Sequence, residues 1–405
     1  MYHRKLLSVL GLLALAGCAG GPSAPSTDEP AGGHGVVEGA TEVAEPQLHL
    51  VAIDAKGQSS MLDLLDGTDT GLDTVTPPDT VSTDGRYVFA ADDAGVSIID
   101  SGVWTWDHVD HFHYYRSQPR PLPRLDGEGT ATISTGLLST AGSTGVFFPG
   151  SGEAVLLDNQ ALSQGELAET LRLTVNPHDG LIAPLGRGAL VSRTDQGEKA
   201  TRVDAVDDAG TTVTSHTCEA ASGTITTRVG LVVGCADGAV IATLDGDTPV
   251  LEHIRYPSGA AAPAATFQAR KGRPTVAGIG DGSGIWLLDT RERSWQWLET
   301  ITPVVTATAV DDAGEHVVAV GTDGTIQVYD AGSGHQIGST KPLLASTLAD
   351  PGLSGSVGVT VDGQRAYVNA SADGVVYEID YADAARVART LELPTRPVHL
   401  METGR

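Results

Sequence analysis

One spacing constrains this chain more than any other feature. Short β-rich runs alternate with turns, and Asp-Gly occurs ten times. Both residues accept positive φ, so between apolar alternations the pair signals a hairpin. One unit recurs: a strand, an Asp-Gly or similar turn, then a strand closed by Asp. Its clearest copies run from Gly314 to Asp330 and from Gly363 to Asp380. The closing aspartates are Asp100, Asp158, Asp204, Asp245, Asp289, Asp330 and Asp380, with successive gaps of 58, 46, 41, 44, 41 and 50 residues. A four-stranded propeller blade takes roughly 40–50 residues, so the ruler marks seven blades. An eighth arises by circular closure. Residues 48–54 and 59–65 supply its second and third strands, and residues 397–401 its first. Residues 46–405 number 360, or eight units of 45. The expected fold is therefore an all-β propeller of eight blades, with seven as the alternative, closed by pairing of N- and C-terminal strands so that no sheet edge is exposed.

Composition narrows the function. The chain has 405 residues, 40% of them hydrophobic, enough for a large core. Lys and Arg total 25 against 51 Asp and Glu, a formal net charge of −26. A nucleic-acid binder needs a basic face to neutralise phosphates, which excludes that class. Cations are the natural partners of such a surface. The partner is expected to be neither nucleic acid nor a bare membrane surface, and the protein is expected to be a monomer.

The N-terminus gives the compartment. Arg4 and Lys5 precede an apolar run from Leu6 to Ala16, too short to span a bilayer and of signal-peptide size. It ends in Leu15-Ala16-Gly17-Cys18, which looks like a lipobox, with Cys18 as the lipidated mature N-terminus. Residues 1–17 read as a lipoprotein signal peptide. Residues 18–45 read as the lipidated cysteine and a flexible acidic tether rich in Gly, Ala, Pro and Ser. Residues 46–405 form the propeller. The tether holds His34, with Glu38, Glu42 and Glu45 nearby. The expected location is extracytoplasmic, lipid-anchored to the outer face of the bacterial membrane or periplasmic. In an oxidising compartment Cys218 and Cys235, 17 positions apart, read as a disulfide. A Cys–Cys metal site is the competing reading, against which the lack of CxxC spacing counts.

The densest chemistry lies in Asp107-His108-Val109-Asp110-His111-Phe112-His113. Three imidazoles and two carboxylates are the donors that suit Zn²⁺. On an extended strand His111 and His113 share a face, about 6.6 Å apart. His108 and Asp110 face the other way unless the chain turns, and otherwise support the ligands from behind. In the blade layout, residues 103–116 follow the third strand of their blade and so read as its outer strand and exit. His178, in Asn176-Pro-His-Asp-Gly180, falls at the next link between blades, and His216 near the one after. Three links on one face would then bring imidazoles together. His111, His113, His178, His108 and Asp110 are the candidate ligands, with His216 and His34 as auxiliary ones. His49, His253, His316, His335 and His399 are isolated and read as structural or solvent-facing.

Together the lipobox, the repeats, the segment from Asp107 to Tyr115, Pro177-His178-Asp179-Gly180 and Gly234-Cys235-Ala236-Asp237-Gly238 resemble AztD-type zinc metallochaperones. The resemblance covers most of residues 46–405. It implies a propeller that hands Zn²⁺ to the solute-binding protein of a zinc ABC transporter, with His111, His113 and His178 as ligands and Cys218 bonded to Cys235. Two departures bear on the number of zinc sites: the tether offers only His34 where the family often has a His-rich segment, and Asp179 stands where a second His is common.

Two other readings compete. Residues 365–380 are also similar to YVTN/lactonase-like surface repeats, which would make the protein a metal-free interaction scaffold. A metal-dependent lactonase would need an open zinc position and a general base. Asp110 is the available base, but no nucleophile elbow or Ser-His-Asp spacing accompanies it. No enzyme activity is expected.

Overall fold

A computed structural model describes residues 35–108, 111–259 and 262–405. Cys18, His34 and Asp110 lie outside the described residues, as does the expected signal peptide. The described residues are all-β apart from short helical segments such as Asn159–Gln164 and Ala345–Ala349. Their strands form eight four-stranded antiparallel sheets and one of three strands. Seven of the larger sheets run in chain order, and the architecture is consistent with a β-propeller.

The aspartate ruler marks third strands. Asp100, Asp158, Asp245, Asp289, Asp330 and Asp380 each end one, while Asp204 lies inside Arg202–Val206. Second strands such as Tyr87–Asp92 and Leu231–Cys235 are buried along their whole length, so their sequences are nearly unbroken apolar runs. Fourth strands such as Thr248–Arg255 alternate exposed and half-buried positions, as a solvent-facing edge does. Apolar side chains pack between neighbouring sheets. Leu190, Val203 and Ala205 of one meet Val233, Val240 and Ala242 of the next. Val318 and Val328 likewise meet Val368 and Ile379. First-strand residues including Thr83, Thr135, Thr226, Gln268 and Thr308 line a central cavity of about 370 Å³.

The two ends of the chain close the ring of strands as expected. His399–Thr403 pairs antiparallel with His49–Ile53, with Val51 opposite Met401. Ser59–Asp63 and Asp69–Gly71 complete that sheet.

One expectation is corrected. Residues 103–116 are not an outer strand. The sheet order is Arg120–Asp126, Gly95–Asp100, Tyr87–Asp92, Thr80–Thr83, so Arg120–Asp126 is the outer strand. Val103–Asp107 and Phe112–Arg116 are a hairpin inserted between third and fourth strands, and Thr41–Val43 joins it as a third strand. The insertion accounts for the longest interval of the ruler. It also fixes a side. Successive antiparallel strands reverse direction, so a connection from strand three to four leaves on the edge of the one-to-two turns. Links between sheets leave on the opposite edge. Two contacts agree. Arg228, in the one-to-two turn of the sheet of residues 222–255, ion-pairs with Asp107. Thr105 Oγ1 donates to the Gly404 carbonyl, 2.7 Å away, at the end of a first strand.

Candidate metal centre

The hairpin is anchored by its base and exposed at its tip. Arg86 and Asp100, both buried, form a two-pronged ion pair with Nε and Nη2 each 2.8 Å from a carboxylate oxygen. The guanidinium lies 3.8 Å from the centre of the Trp104 ring, a cation–π contact strengthened by exclusion of water. Trp104 stacks on Tyr115 across the hairpin at 5.2 Å, and its Nε1 donates to the Gly35 carbonyl at 3.0 Å. Trp and Tyr thus bury the root of a segment that leaves the main sheet.

At the tip the His108 amide donates to the His111 carbonyl at 2.9 Å, and Asp107 lies opposite Phe112. His108 thus stands on the side of His111 and His113, which an uninterrupted strand would not allow. The ring centres lie 4.8 Å (His108–His111), 4.9 Å (His111–His113) and 5.4 Å (His108–His113) apart. One ring nitrogen from each lies within 4.8 Å of the other two. His111 Nε2 and His113 Nε2 are 3.1 Å apart. Zn–N bonds of about 2.0–2.1 Å in tetrahedral geometry put ligand atoms about 3.3 Å apart, so these two nitrogens already stand close to the edge of such a site. The three imidazoles can hold a metal ion and leave a fourth position for water or an incoming donor.

Sequence reasoning missed Glu42 as a partner of this site. In Thr41–Val43 it lies opposite Tyr115, and its Oε1 is 2.6 Å from His113 Nδ1. A carboxylate only accepts, so Nδ1 carries the proton and His113 is set to bind through Nε2. The segment expected as a flexible tether therefore contributes a strand at residues 41–43 and a carboxylate behind a ligand. No local signal predicts that pairing, which joins residues 71 apart.

His178 is not brought to this group. It sits at a link between sheets, on the side away from the hairpin, and is 3% exposed. Its Nδ1 bonds the Asn176 carbonyl at 2.7 Å and its Nε2 the Ser192 hydroxyl at 2.8 Å. Its ring packs edge-on against Phe147. Burial pushes its pKa below the ordinary imidazole value. The expectation that consecutive links would unite the hairpin and link histidines fails because the hairpin emerges on the other side. His216 lies in Thr212–Thr217, beside His253 rather than the hairpin. Cys218 and Cys235 are disulfide-bonded, with Cα atoms 5.0 Å apart, and join adjacent sheets; the metal reading of that pair does not hold.

No protein-family model matches the chain. The zinc chaperone AztD of Citrobacter koseri is 26% identical over 205 residues, 49% of this chain and 48% of that protein. The chain thus spans about half the length of the curated relative it matches. The crystal structure of Citrobacter koseri AztD superposes with a TM-score of 0.76 at 22% identity, over 88% of this chain and 98% of the other. Its apo structure gives 0.76 at 21% identity, over 89% and 98%. The computationally designed Ika8 protein gives 0.53 at 15% identity, over 83% and 93%. At these identities the superpositions establish the fold. The chain resembles AztD-type zinc chaperones, in sequence over about half its length and in fold over 88% of it.

Proposed function

We propose that this protein is a zinc chaperone that binds Zn²⁺ through His108, His111 and His113 and passes it to the solute-binding protein of a zinc ABC transporter. The observation that carries the reading is the convergence of three imidazoles at the tip of an anchored, exposed hairpin. Three neutral nitrogen donors suit a borderline divalent cation, and an exchangeable fourth donor suits a carrier. A carrier needs both. A partner's donor can enter at that position while the cargo is still held, so transfer proceeds by ligand replacement without free ion. Asp110 adjoins the three in sequence and is the candidate fourth donor. The sequence similarity to a zinc chaperone supports the same cargo. The role assigned is binding and delivery, and no catalytic residue is assigned.

The surrounding architecture follows the same reading. The eight four-stranded sheets are eight propeller blades. Cys18 is a lipid anchor outside the cytoplasmic membrane, and the chain that precedes the strand Thr41–Val43 tethers the propeller to it. Among the described residues no helix is long and apolar enough to cross a membrane.

The test is a zinc titration against a competing chelator. It compares the protein with the His111→Ala/His113→Ala variant, with circular dichroism to follow the fold. The expected result is a tight equivalent that the variant loses while staying folded. Equal binding in both would overturn the ligand assignment, and no tight zinc in the parent would overturn the function.

A further inference from the structure

The hairpin that carries the three histidines is tied down at three levels. Its root is the buried Arg86–Asp100 pair beneath Trp104. Halfway along, Thr105 donates to the Gly404 carbonyl. At the tip, Asp107 ion-pairs with Arg228. That last tie reaches farthest. Arg228 is 121 residues away, in the turn between Ser222–Thr226 and Leu231–Cys235, and the sheets of residues 132–174 and 182–217 come between in chain order. Its backbone stands on a fixed platform. Thr227 bridges Gly272, and the Arg228 amide donates to the Gly272 carbonyl at 3.0 Å. Asp107, for its part, ends the strand Val103–Asp107, directly before His108. It lies opposite Phe112, which stands between His111 and His113. The ion pair therefore grips the hairpin where the chain adjoins all three donors.

We infer that Arg228 is a positioning residue for the metal centre: through Asp107 it latches the donor-bearing tip to a distant sheet, and so sets how firmly the ion is held. The inference rests on the zinc reading of the hairpin. A metal site binds best when its donors are held within about 0.5 Å of the productive geometry, and a two-stranded ribbon has little rigidity of its own. Here each strand has an outside support. Thr41–Val43 pairs along Phe112–Arg116, while Gly404 and Arg228 hold the strand Val103–Asp107. Charge and position make opposite demands on this arginine. A guanidinium near a cation repels it, so an Arg228 that acted by charge alone would loosen the ion, and its removal would tighten binding. An Arg228 that acts by holding Asp107 would do the reverse, and its removal would weaken binding.

The test uses the full chain with Zn²⁺ alone, read by chelator competition and by the rate of zinc release, together with amide exchange of residues 103–116 in the metal-free protein. Arg228→Gln should weaken zinc about three- to fivefold, the upper range of what a half-exposed ion pair supplies, mostly through faster release and with the thermal midpoint nearly unchanged. Arg228→Lys, which keeps the charge, should recover most of the loss. Asp107→Asn should weaken zinc by as much or more, since it also removes a negative charge near the ion. Adding Arg228→Gln to it should cost nothing further, because the two changes break one interaction. Without metal, the hairpin amides should exchange faster in Arg228→Gln than in the parent and in Arg228→Lys. Unchanged or tighter zinc binding in Arg228→Gln would overturn the inference. A parent that binds no zinc would instead sink the chaperone reading, and the exchange measurement would then decide the latch, with parental exchange in Arg228→Gln overturning it.

Discussion

The hairpin and the link at His178 use the same side chain for opposite ends. At the hairpin tip His113 spends one nitrogen on Glu42 and turns the other toward His111 near solvent. At the link His178 spends one nitrogen on a backbone carbonyl and the other on a serine, beneath Phe147. The first arrangement sets a proton on the far nitrogen and leaves the near one facing its neighbours. The second consumes both. Both lie beside turns in segments that join core strands, His113 in the inserted strand Phe112–Arg116 and His178 in a link, so residue type and spacing do not separate them. What separates them is direction. The hairpin leaves between strands three and four and the link between sheets, and antiparallel pairing sends those departures to opposite edges.

The sharpest way to break this comparison is to exchange the losses. His111→Ala/His113→Ala should lower zinc affinity by more than about 100-fold, beyond the 10–100-fold typical of outer-shell changes, with the thermal midpoint nearly unchanged. His178→Ala should do the reverse. It removes the imidazole that bonds the Asn176 carbonyl and the Ser192 hydroxyl, the latter keeping its bonds to the Leu181 backbone, a cost of about 1–3 kcal/mol, while zinc affinity stays as it was. Urea denaturation and chelator competition on the two variants read both quantities. A tenfold zinc defect in His178→Ala would place His178 back among the ligands and collapse the distinction.

Much of the fold was legible because strand ends and turns are local. The closing aspartates cap third strands, and Asp-Gly marks the turns that precede several of them. Gly324, for example, adopts φ +83° after Asp323, a conformation that favours glycine. The misplaced strand has a local cause too. Val103-Trp-Thr-Trp and Phe112-His-Tyr-Tyr read as strands, which they are. The true outer strand, Arg120–Asp126, contains Pro121 and Pro123, which argue against a central strand and are tolerated only at an edge. Taking the more strand-like segment as the fourth strand put the histidines on the wrong side. The 58-residue interval was the available signal that something was inserted. The contact of Glu42 with His113, and that of His216 with His253, depend on packing between distant segments and leave no trace in spacing.

Glu42 offers a finer test of the hairpin half of the comparison. Glu42→Gln removes the charge behind His113 while keeping its shape, and should reduce zinc affinity about tenfold, with the hairpin sheet intact. If affinity is unchanged, Glu42 does not tune the ligand and serves only as strand pairing.

The smallest expected effect reads the link half of the comparison by pH. His49, His178, His253 and His399 are all held below the ordinary imidazole pKa, with burial as the largest cause in each. In the unfolded chain these groups titrate near about 6.5. Above that value both states are neutral and stability is unaffected. As pH falls through it, the unfolded chain takes up protons that the folded chain refuses, and stability declines until the folded-state pKa values are passed. Each such group contributes a slope of at most about 1.4 kcal/mol per pH unit. Unfolding free energy measured from pH 7.5 down to 5 should therefore fall, and His178→Gln should fall less steeply than the parent. Equal steepness in the parent and His178→Gln would mean that His178 is not kept neutral by its burial.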